Sequence, residues 1–166
     1  VFTGVPLMPA PVDQGEFQDT ISKCNEIVDF LKSGARMLRT NRIVITGDLV
    51  DSSAQNDFNA VAIQYLLDPL TAFGYDVTVV PGNHDYFVDG VQEITPRIAV
   101  GRTAFFNAFS SFSKANAPDA YPVDLDLGDG NHLILIDSLK GHYDVNTGTQ
   151  TAQGNIGEQQ RNWLKN

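Results

Sequence analysis

Two short runs of β-branched residues organise this chain. Arg42-Ile43-Val44-Ile45-Thr46 is closed by Gly47, and Asp76-Val77-Thr78-Val79-Val80 is closed by Pro81-Gly82, so both predict buried strands. Between them Phe58, Val61, Ala62, Tyr65, Leu66, Leu70 and Phe73 recur at spacings of three and four, the pattern of a helix that buries one face. Asp68-Pro69 interrupts the run and predicts a break, with Asp68 capping and Pro69 opening a second short helix that Gly74 ends. Strand, helix and strand in succession make a right-handed parallel crossover. Upstream, Ile21, Cys24, Ile27, Val28 and Leu31 predict one face of a first helix starting near Thr20. Downstream, Phe105, Phe106, Phe109 and Phe112 stand at largely helical spacing and read as core or lid contacts. Val123, Leu125 and Leu127 then alternate before Asp129-Gly130-Asn131, which predicts a tight hairpin with His132 as a structural residue of its second strand.

The polar residues that follow the first two strands carry the chemistry. Gly47-Asp48-Leu49-Val50-Asp51 and Gly82-Asn83-His84-Asp85 each open where a parallel strand ends, the edge at which open α/β sheets bind ligands. A hard divalent cation takes carboxylate and carbonyl oxygens, which makes Asp48 a candidate ligand. Either motif alone reads equally well as an ordinary turn. The two in order, joined by one helical crossover, point to a metal site. Tyr86 and Phe87, directly after the second motif, are candidates for packing on the loop or against a base or organic leaving group.

Gly-Asp-x-x-Asp followed by Gly-Asn-His-Asp resembles the central motifs of the calcineurin-like metallophosphoesterases. His132-Leu133-Ile134-Leu135-Ile136-Asp137-Ser138 is similar to that family's hydrophobic strand ending in Asp-Ser, and Glu158-Gln159-Gln160-Arg161-Asn162-Trp163-Leu164 to its Glu-Gln-x-x-Trp-Leu helix. These later segments resemble the branch that contains the class III cyclic nucleotide phosphodiesterases. The resemblance implies an α/β fold, a layered α/β/α (αββα) sandwich with mixed sheets, and a metal-dependent phosphoester hydrolase with two divalent ions of manganese, iron or zinc. It implies that Asp48 bridges the two ions and that Asn83 binds the second. His84 would protonate the leaving group or stabilise the charge of the transition state. Asp85 would orient that imidazole or keep it protonated, and Asp51 would steady the loop behind the ligands. Asp137 and His142 are further candidates, the latter within Gly141-His142-Tyr143-Asp144, which resembles the family's Gly-His-x-His but precedes the Trp163-Leu164 helix when it should follow it. The family's first-strand Asp-x-His and its last histidines have no counterpart here. They are expected upstream of Val1 and downstream of Asn166, and the chain as given is expected to be an incomplete, inactive form of a single domain spanning 1–166.

Composition narrows the substrate. Eleven basic residues face 20 acidic ones, for a net charge of −9, whereas a protein that grips duplex nucleic acid neutralises several phosphates with Lys and Arg. A small or nucleotide-like phosphoester is therefore the expected partner, since divalent ions reverse the field locally. A DNA-repair-type exonuclease of the same superfamily is the alternative enzyme, and a non-catalytic binding or scaffold member is the alternative of another class. The presence of His84 speaks against the latter. The acidic stretch Asp124 to Gly130 is not a calcium loop, because Gly128 and Leu135 stand where ligands belong. No apolar segment is long enough to span a membrane. The one cysteine, Cys24, lacks an internal partner and reads as a small core residue. The compartment is open, with cytoplasm as the default.

Overall fold

The computed structural model describes residues 14–38, 40–50, 56–86, 94–118, 120–138 and 156–165. Strand β1 (Arg42–Ile45) pairs in parallel with β2 (Asp76–Val79), Ile43 opposite Val77 and Ile45 opposite Val79. The Val80 amide extends the ladder by donating to the Ile45 carbonyl at 2.9 Å. Side chains alternate between two cores, as the period of two requires. Ile43, Ile45, Val77 and Val79 pack into the larger core with Cys24, Val28, Leu66, Leu67, Leu70, Phe105 and Phe109. Val44 faces the smaller one, built from Val80, Ala115, Tyr121 and Leu135. One sheet thus has helices on one face and a hairpin on the other, an α/β arrangement.

Helix α1 (Gln14–Leu38) begins before Thr20. Its buried stripe runs through Cys24 and Val28 with Leu31 against it, while Ile27 is 47% exposed. The stripe is narrower than expected, and Ile27 lies at its margin.

The crossover also corrects an expectation. Helix α2 (Asn56–Ala62) passes through a π-helical turn, Ile63–Leu67, into α3 (Asp68–Phe73) without leaving helical geometry. Leu67 (φ −73°, ψ −48°) and Asp68 (φ −62°, ψ −45°) are both right-handed helical, and the Asp68 amide donates to Ile63 five residues back. Pro69 lacks an amide hydrogen and its ring crowds the turn before it. The widened turn relieves both problems, so Asp68 is a link in a continuous helix instead of a cap. Gly74 ends α3 as predicted: at φ 107° its amide reaches Thr71 (2.9 Å) and the Tyr75 amide reaches Leu70 (3.1 Å), which satisfies two terminal carbonyls.

Helix α4 (Ile94–Phe109) sends Phe105 and Phe109 into the larger core. Strands β3 (Val123–Gly128) and β4 (Asn131–Leu135) form the predicted hairpin, turning at Asp129 (φ 53°) and Gly130 (φ 77°). A bulge between Asp126 and Gly128 takes Leu127 out of register and leaves it 45% exposed. The alternation therefore stops at Leu125. His132 Nδ1 lies 2.8 Å from Asp124 Oδ1 on the exposed face of the hairpin. A short helix, α5 (Glu158–Trp163), ends the described chain. Among the described residues the strands form two separate two-stranded sheets, one parallel and one antiparallel, and no helix is long and apolar enough to cross a membrane.

Candidate metal and catalytic site

The loops that leave β1 and β2 lie against each other, and glycine makes that approach possible. A Cβ on Gly47 would stand 2.6 Å from Gly82 Cα, and one on Gly82 would stand 2.3 Å from Asp48 Oδ1 and 2.4 Å from the Asp48 nitrogen. Gly47 (φ 106°) and then Asp48 (φ 52°) take left-handed backbone, which Asp tolerates better than most residues. This turns the Asp48 carboxylate toward the second loop, where Oδ1 accepts the His84 amide at 3.0 Å. Asp48 and His84 are both exposed and Asn83 is half-buried. The structure thus brings Asp48 together with the Asn83-His84 segment at the C-terminal end of adjacent parallel strands.

Asp85 lies buried beneath the two loops. Residues 84–86 form a 3-10 turn, in which successive side chains point roughly 120° apart, so His84 faces solvent while Asp85 is fully buried. Its Oδ1 accepts the Val50 amide at 3.0 Å and its Oδ2 the Gly82 amide at 2.7 Å. One carboxylate therefore clamps both motif loops from beneath. Burial pushes its carboxyl up to about 6, against the opposing pull of the loop amides. Both Asp85 oxygens are thus engaged by loop amides, which gives this carboxylate a structural role in the site. Asp85→Ala would orphan those amides, at an expected cost of about 1–3 kcal/mol, read as a lower urea midpoint. Asp85→Asn keeps one oxygen acceptor and should fall between the two. An unchanged midpoint in Asp85→Ala would overturn the clamp.

Other candidates fall elsewhere. Asp51, Phe87 and His142 lie outside the described residues. Tyr86 is 1% exposed and belongs to the core, so it offers no face to a base or leaving group. Asp137 is equally buried and accepts the Tyr86 hydroxyl at 3.1 Å. Two residues with positioning contacts escaped the reading of the sequence. Gly101 of α4 abuts the turn, since a Cβ there would meet the Tyr86 carbonyl oxygen at 2.2 Å. Gln160 braces Asp137 by accepting its amide (3.1 Å) and donating to its carbonyl (2.8 Å). The Gln in the helix ending Trp163-Leu164 was the signal for the second. Nothing local marked the first.

The donor chemistry at this edge suits a hard divalent ion, with an exposed carboxylate at Asp48 beside the amide-bearing Asn83. It is a partial set: among the described residues no three His, Cys, Asp or Glu side chains cluster closely enough to hold a metal. Searches of curated proteins and of solved structures gave no match. The family model described as calcineurin-like phosphoesterase matches residues 16–166, a span that begins within α1, takes in both glycine-packed loops and runs past α5. The chain belongs to the calcineurin-like phosphoesterase family.

Proposed function

We propose that this protein hydrolyses a small or nucleotide-like phosphoester at a two-metal site between the β1 and β2 loops. The contact that carries the reading is the His84 amide on Asp48 Oδ1 at 3.0 Å, which fixes a candidate metal ligand and a candidate acid in one rigid unit. Asp48 and Asn83 would hold the divalent ions, which supply Lewis acidity toward phosphoryl oxygens and a nucleophilic water. His84, exposed at the rim, donates its proton to the departing ester oxygen. Asp85 holds the loops at fixed separation from within. Gly47 and Gly82 keep them close enough for Asp48 to serve both.

The parallel sheet, packed between a helical layer and the β3-β4 hairpin, fits three of the layers of an αββα sandwich. The Asp137-Ser138 strand end and the Gln160 helix support the phosphodiesterase branch that contains the class III cyclic nucleotide enzymes. Net charge −9 favours a small substrate over nucleic acid.

The test is hydrolysis of bis(p-nitrophenyl) phosphate and p-nitrophenyl phosphate by the full-length protein. Turnover should be lost on chelation and restored by manganese, iron or zinc, while duplex DNA stays intact. Absence of metal-restored turnover on both esters and on DNA would overturn the hydrolase reading. Degradation of DNA in place of the small esters would move the assignment to the exonuclease alternative.

A further inference from the structure

Resting on that reading of the site, we infer that Tyr86 and Asp137 form a positioning pair that fixes the turn bearing Asn83 and His84. Tyr86 closes this turn, its amide donating to the Asn83 carbonyl at 3.3 Å. The ring is then held by residues of α4. Phe105 meets it edge-on, with centroids 6.1 Å apart and planes at 88°. The Arg102 guanidinium lies 5.4 Å from its centroid, and Gly101 lets α4 touch its main chain.

The phenol donates to Asp137 Oδ2 at 3.1 Å. Asp137 is itself immobilised. Gln160 grips its amide and carbonyl together, and Arg102 Nε stands 3.5 Å from the same Oδ2 that receives the phenol, offsetting the buried charge. Burial, with the Asp137 charge added, holds the phenol far above its ordinary pKa, so it stays a neutral donor. The hydrogen bond thus crosses 51 residues of sequence and ties the end of β4 and helix α5 to the turn two residues beyond His84. Tyr86 and Asp137 touch no reacting atom. They set where His84 and Asn83 stand, and a displacement of about 1 Å at such groups costs on the order of a hundredfold in rate.

Tyr86→Phe in the full-length protein tests this, because it removes the hydroxyl and keeps the ring contacts. The expected result is a fall in kcat of roughly ten- to a hundredfold with KM within about twofold. At one fixed pH the His84 Cε1–H cross-peak should shift or broaden, with that of His132 unmoved. Asp137→Asn keeps an oxygen acceptor for the phenol and should lose less than Tyr86→Phe. Tyr75→Phe is the control, since it removes an equivalent phenol bond, 2.8 Å to the Leu31 carbonyl, on α1. It should leave kcat and the His84 signal in place. The inference is overturned if Tyr86→Phe leaves both unchanged, or if Tyr75→Phe moves them as much. A wild-type protein without phosphoesterase turnover would sink the hydrolase reading alone. The His84 spectrum would then still decide whether the pair positions the turn.

Discussion

Replacing His84 with alanine in the full-length protein is expected to lower turnover of an aryl phosphodiester by roughly two to four orders of magnitude while metal content stays near that of the wild type. Asp48→Asn should lose metal as well as rate. The two residues share a hydrogen bond, yet they enter it through different groups: His84 gives its main-chain amide and Asp48 its carboxylate. Alanine at position 84 keeps that amide, so the bond to Oδ1 and the Asp48 orientation survive while the imidazole is lost. Asparagine at position 48 keeps an oxygen for the amide but removes the charge that draws a divalent ion. Metal analysis beside kcat therefore separates the roles. Equal loss of metal in both variants would contradict the division, and unchanged turnover in His84→Ala would remove the histidine from the chemistry.

What the sequence revealed of this site follows from where its signals are local. β-Branched runs closed by glycine gave both strands to within a residue, and a parallel crossover leaves no choice about which edge the following loops share. The convergence of Asp48 with the Asn83-His84 segment was legible for that reason. The clamp that Asp85 makes on the Val50 and Gly82 amides was not legible, because those amides belong to two loops that meet only in the folded chain. The continuous helix through Pro69 was hidden because local preference says break. Burial of Leu66, Leu67 and Leu70 in one core keeps the segments on a common face and absorbs the proline in a π-helical turn. The Tyr86 to Asp137 bond had no signal at all, since a hydroxyl and a carboxylate 51 residues apart meet only once β4 is docked.

Gly82→Ala should be as damaging to turnover as loss of the histidine, although it removes no chemical group. Gly82 needs its small size for space and not for an unusual backbone: a Cβ there would sit 2.4 Å from the Asp48 main-chain nitrogen and 2.3 Å from Oδ1. The side-chain oxygen can rotate away only by abandoning the His84 amide, and the main-chain nitrogen cannot rotate at all. The loops must separate, which also stretches the bonds from Val50 and Gly82 to the Asp85 carboxylate. Expected effects are a loss of about 1–3 kcal/mol in stability and a drop of two or more orders of magnitude in kcat, on the scale that misplacement of reacting groups by about 1 Å produces. Gly128→Ala supplies the contrast. Gly128 has φ 86°, and a methyl group there would meet nothing within 4 Å, so alanine strains the exposed hairpin by roughly 1–2 kcal/mol and should leave turnover per folded molecule unchanged. If the two variants lose stability alike and both retain turnover, the close packing of the loops is a feature of folding alone. If only Gly82→Ala is silent, the distance between the loops is itself part of the active site.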